Sequence, residues 1–173
     1  MRSPGAPWLT AGCHGGRRAS VRARGPGWQN PRVTALASTP VFSAEVLLGP
    51  VVEVGPTPTG FRRVIPIVGG TVTGAFAGEV LPGGADWNVE RPDGSTELWA
   101  RYELRLVDGT VVSVTNTALL APGADVPFLT HPVFEVGDDG PVELRWGLFV
   151  GVLTPAADGG SVHLEVVRAL PPV

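Results

Sequence analysis

The 173-residue chain has no lysine, a single cysteine (Cys13) and no run of about 18 uninterrupted apolar residues. With one cysteine no intrachain disulfide can form and nothing points to an oxidising compartment, so the expected location is cytoplasmic. Without a long apolar run, no membrane partner is expected. Acids are missing from residues 1–40, which hold six of the thirteen Lys+Arg charges as Arg2, Arg17, Arg18, Arg22, Arg24 and Arg32. The remainder therefore sets seven arginines against all sixteen acids, a net charge of −9. Phosphate binding depends on clustered positive charge, so no nucleic-acid partner is expected for the folded part.

Other absences narrow the chemistry. There is no H-x-H, no H-x-x-x-H and no usable cysteine, so no metal site is expected. There is no Gly-x-Ser-x-Gly elbow, and no serine has an evident histidine partner. The glycine-rich run VGGTVTG (residues 68–74) joins two strand-like segments and opens no helix, so it lacks the helix-terminus dipole of a dinucleotide site. No cofactor is expected.

What is abundant is turn punctuation: 24 glycines and 18 prolines. Residues 1–40 show no apolar periodicity and read as a disordered, Arg-rich leader. The pair Arg17-Arg18 is not followed by the apolar stretch of an export signal. The leader fits either an organelle transit peptide or a translation start that truly lies further in, near Val33. From residue 41 the pattern is regular. VFSAEVLL (41–48), FRRVIPIVGG (61–70), TVTGAFAGEVL (71–81), LRWGLFVGVL (144–153) and SVHLEVVRAL (161–170) read as strands. In TELWARYELRL, Ala100, Tyr102, Leu104 and Leu106 share one face and Trp99, Arg101, Glu103 and Arg105 the other. Asp108-Gly109 then reverses the chain, and Val112, Val114 and Asn116 share a face on the return strand.

No window keeps the three-and-four spacing of a helix. The expected architecture is all-β: a single antiparallel β-barrel of about eight to ten strands, calycin-like or a closed sandwich, with almost no helix, over residues 41–173. Closure would remove the edges of several Val-rich strands and leave space for a small ligand.

RRVIPIVGGTVTGAFAGEVLPGGADWNVERPDG followed by ARYELRLVDGTVVSVTN resembles the bacterial and fungal domain-of-unknown-function family 3237. The matching elements are Gly69, Gly70 and Gly74, then Gly78 to Trp87, Arg101-Tyr102 and Leu104, Asp108-Gly109 and Asn116. The likeness spans roughly residues 41–170 and implies a compact β-barrel, with no assigned activity. Where the family tends to have glycine two residues after the asparagine, this chain has Ala118.

The candidate catalytic residues are Asp86, Arg101 and His131. Asp86 follows Gly83, Gly84 and Ala85, and a carboxylate beside the indole of Trp87 can have its pKa raised by desolvation and act as general acid or base. The alternative is an acid bonded to its own loop, with Trp87 plugging the barrel end. Arg101 is an anion clamp if its strand face points inward, with Tyr102 as packing; if it points outward, Arg101 is solvated or paired and Tyr102 lines the interior. His131, held extended before Pro132, is either a proton shuttle or a rim residue without a role. His163 alternates with Val162 and Leu164 and is expected to face solvent. The candidate ligand-binding residues are Trp87, Tyr102, Asn116 and Trp146.

Two functions follow. One is a barrel that binds a small apolar metabolite, in its enzymatic form a cofactor-free isomerase, cyclase or lyase using acid–base residues. The other is a packed barrel acting as a structural, oligomerising or partner-binding module without catalysis; either is compatible with a homo-oligomer.

Overall fold

The computed structural model describes residues 36–171. The leader lies outside the described residues up to residue 35. Ten strands and one short 3-10 turn follow: β1 (Ser38–Leu48), β2 (Val52–Thr57), β3 (Gly60–Gly74), β4 (Gly78–Val80), β5 (Ala85–Glu90), β6 (Thr96–Leu106), β7 (Val111–Leu120), β8 (Phe128–Val136), the turn Val142–Leu144, β9 (Leu148–Pro155) and β10 (Ser161–Ala169).

All pairings are antiparallel, and the sheet closes on itself because β1 pairs with β10 on one side and β3 on the other. Between β3 and β6 one position in the wall is shared by β4 and β5, which follow each other along the same two neighbours. The result is an eight-position closed barrel with β2 added outside on β3. Fifteen-residue β3 is the element that makes this work. Its first half pairs with β2 and β5, and its second half turns to β4 and β1. At the turn Gly70 has φ +149°, and a Cβ there would stand 2.1 Å from the Glu45 carbonyl oxygen of β1. Only glycine permits that approach.

Period-two alternation sends Leu98, Tyr102 and Leu104 of β6 and Val112, Val114 and Asn116 of β7 inward, all buried. One part of the interior is filled by Phe42, Phe134 and Phe149 in two edge-to-face contacts with centroids 5.7 and 4.9 Å apart, together with Leu144 from the 3-10 turn. The segment LRW, expected to begin a strand, instead forms the end of that turn and the bend before β9, where Gly147 has φ +129°. No helix among the described residues is long and apolar enough to cross a membrane.

Candidate functional site

The remainder of the interior is not filled. A cavity of about 60 Å3 is walled mainly by aliphatic side chains, with Asp86, Tyr102, Asn116 and Thr130 as its polar groups. One rung of the barrel accounts for much of it: Ile65, Asp86, Ala100, Asn116 and Pro132 lie opposite one another across β3, β5, β6, β7 and β8. Opposed residues of neighbouring strands point to the same face. Ala100 is the small member, and its missing bulk leaves space between the carboxyl of Asp86 and the amide of Asn116.

The turn PGGAD brings Asp86 there. Gly83 has φ +116°, and a Cβ on Gly84 would lie 2.5 Å from the Arg101 carbonyl oxygen. The glycine pair therefore lets the chain press against β6 and enter β5 without a loop. Gly84 in turn accepts the N–H of Ile67 at 2.8 Å.

Asp86 is held by the backbone of the next strand, not by its own loop: its Oδ1 accepts the N–H of Trp99 at 2.8 Å. Burial raises its pKa to about 6; the Trp99 hydrogen bond and a smaller pull from the neighbouring Asn88 amide act in the opposite direction and only partly offset it. Burial also pushes the Tyr102 phenol well above its ordinary value, so it stays a neutral hydroxyl. Asn116 Oδ1 and Thr130 Oγ1 are buried and have no hydrogen-bond partner among the described residues. Thr130 fits because Gly151 lies opposite it on β9; a Cβ at Gly151 would stand 2.2 Å from the Thr130 hydroxyl.

Asp86, Tyr102 and Asn116 thus converge on one cavity, and the other candidates do not. Arg101 is exposed, which selects the outward reading of its strand face and removes it as an anion clamp inside the barrel. Trp87 neither lies over the cavity nor plugs the barrel: it makes a tilted contact with Trp99 at 5.3 Å between centroids and 58° between planes, one strand position outside the inward-facing rung. Trp146 is 70% exposed in the bend before β9 and lines no part of the cavity. His131 is exposed on β8, opposite Thr117. His163 is exposed as expected, within 3.6 Å of Glu45 and 3.7 Å of Glu165. Thr130 was missed, although Phe128, Thr130, Pro132 and Phe134 alternate strictly with exposed residues and carry the signal. Among the described residues no group of three His, Cys, Asp or Glu side chains is placed to hold a metal.

Residues 36–169 match the family described as protein of unknown function (DUF3237). The UPF0311 protein blr7842 of Bradyrhizobium diazoefficiens is 39% identical over an alignment of 146 residues that covers 75% of this chain and 94% of that protein. The crystal structure of the conserved protein of unknown function RPA1785 from Rhodopseudomonas palustris is 36% identical and superposes with a TM-score of 0.70, covering 79% of this chain and 99% of that one. A structure described as an enzyme from Penicillium herquei shares the fold at 22% identity, with a TM-score of 0.66 over 80% of this chain and 98% of that one.

Proposed function

Because this chain belongs to the DUF3237 family, whose function is unassigned, we propose from the site itself that the barrel binds a small, largely apolar metabolite and uses Asp86 for acid–base chemistry on it. One observation carries this reading. Two buried polar atoms with no protein partner, Asn116 Oδ1 and Thr130 Oγ1, border the same cavity as a carboxyl whose pKa is raised to about 6. Orphaned buried polar atoms cost about 1–3 kcal/mol each, a cost that a bound polar group removes. A carboxyl poised near 6 can both take and return a proton close to neutrality.

In this reading Trp99 fixes one oxygen of Asp86, leaving the other for the ligand. The carboxylate takes a proton from a carbon or oxygen of the ligand and returns it at another position. The Tyr102 and Thr130 hydroxyls donate to the ligand oxygen on which charge develops, and Asn116 Oδ1 accepts from a ligand O–H or N–H. No external oxidant or cofactor enters such an isomerisation, cyclisation or elimination. The fold also serves an enzyme in Penicillium herquei, so it is a scaffold on which catalysis occurs.

The test compares wild type with Asp86→Asn in thermal stability and in binding of a panel of hydrophobic metabolites. Retained or raised stability with lost binding or turnover is expected. A fall of several degrees in melting temperature, with no ligand bound by either protein, would make Asp86 a structural acid. The size of the cavity, about 60 Å3 against the roughly 300–1,000 Å3 of common ligand sites, favours the second reading, a packed barrel acting through its surface. That reading requires no metabolite to bind and self-association to rise with concentration in sedimentation.

A further inference from the structure

The inner cavity is too small for a whole metabolite, yet part of its wall is shared with a larger space. An outer groove of about 690 Å3 runs over Ala118 and Leu119 of β7, Leu129 of β8 and Leu148 and Val150 of β9. Leu98 and Thr130 line both the groove and the inner cavity.

The strand pairing explains why the two spaces meet here. β8 changes neighbours halfway along: Phe128–Thr130 pair with Leu153–Gly151 of β9, and His131–Val136 pair with Thr117–Val112 of β7. The β7 ladder to β8 therefore ends at Thr117, while β7 continues to Leu120. The ladder to β9 stops at Thr130, two residues before Pro132, which has no N–H to give. Where β7 and β8 part, no main-chain ladder seals the wall, and the partition consists of the side chains of Leu98 and Thr130.

Resting on the reading of the cavity as a binding site, we propose that groove and cavity form one site entered between β7 and β8, and that its ligand is an amphiphile. Its hydroxyl or carbonyl end passes Leu98 and Thr130 to reach Asp86, and its apolar body, a chain or ring system, lies along the outer groove. Two features support this. The unpartnered Thr130 hydroxyl, on a residue only 6% exposed, stands at the partition itself, where an incoming end group would meet it. Outside the partition, Leu119, Leu129 and Leu148 are 61, 67 and 50% exposed along one groove, a continuous apolar surface on the outward face of β7, β8 and β9. Arg91 and Glu97 of the groove are paired with each other at 2.6 Å; Thr117, Thr130 and His131 are its other polar side chains, and the rest of the lining is apolar.

Straight-chain 1-alkanols from butanol to octanol, titrated calorimetrically into the full chain, test the proposal. Binding is expected to strengthen about fourfold for each added methylene, the value for moving one CH2 out of water. Leu129→Arg, a change at an exposed position, should abolish that increment. Thr130→Val should weaken every alcohol while the melting temperature is kept, because the hydroxyl has no protein partner to lose. Butanol and octanol binding equally, or a chain-length increment that survives Leu129→Arg, would overturn the groove while leaving the cavity intact, provided butanol binding is lost in Asp86→Asn. Binding of no alcohol at all would overturn both.

Discussion

The Asp86 carboxylate accepts the backbone N–H of Trp99 at 2.8 Å where the β5–β6 register passes from Asp86 opposite Ala100 to Val89 opposite Glu97. Across that gap a side chain does what a main-chain carbonyl does elsewhere in the ladder. Asp86 is thereby a structural acceptor and a wall of the cavity at once. Its pKa, about 6 against an ordinary 3.8, means that the folded state holds this proton more tightly than the unfolded chain. Stability from this group is full below pH 3.8 and is lost as pH rises through 6, by about 3 kcal/mol in all. Asp93 and Asp108, lowered by hydrogen bonds to Ser95 and Thr110, act in the opposite sense. The difference between wild type and Asp86→Asn isolates the one group. Melting curves from pH 4 to 7 should show the variant gaining on wild type as pH rises. Parallel curves would refute the raised pKa.

Asn116→Leu should raise stability by about 1–3 kcal/mol, because it removes a buried oxygen without a partner and fills open volume. It should also abolish ligand binding. Chemical denaturation measures the first effect and calorimetry the second; a destabilised variant would mean that the oxygen is satisfied in solution.

Two glycines with positive φ should respond very differently to alanine. Gly70→Ala places a Cβ against the Glu45 carbonyl in the seam that closes the barrel, and a loss of about 3 kcal/mol or more is expected. Gly109→Ala meets nothing within 4 Å, so only the left-handed backbone costs, about 1–2 kcal/mol. Equal losses in denaturant midpoints would contradict the seam.

Arg101→Ala and Trp146→Ala both alter exposed side chains away from the cavity. Each should change stability by no more than about 0.5 kcal/mol and leave ligand affinity unaltered. A large loss of affinity on Arg101→Ala would restore the anion clamp.

The barrel could be read from the chain where one face is buried and the other wet. β6 and β7 alternate cleanly because a one-residue slip would invert every side chain. The same rule decides Arg101 against Tyr102, but only once Ala100 is known to lie opposite Asp86. Elsewhere local chemistry misled. Residues 85–90 follow proline and two glycines and precede a Pro-Asp-Gly turn, so they read as a corner, yet they form β5. β2, outside the closed wall, has no buried face to give it a pattern. Trp146 sits in an apolar run that resembles a strand, and only the left-handed Gly147 behind it marks the bend. The convergence of Asp86, Asn116 and Thr130 comes from register across four strands, which no local pattern encodes.

Closure by β1 sets the order in which the molecule can be finished. Among the described strands β1 leaves the ribosome first, but one of its two partners, β10, leaves last, and Ser38 finds Ala169 only across nearly the whole barrel sequence. Until then β1 and β9 are open edges rich in valine and leucine, available to other chains. Such non-local pairing makes folding slow. Loss of the final strand alone would turn a closed wall into two adhesive rims, so aggregation during synthesis is the hazard that this topology carries.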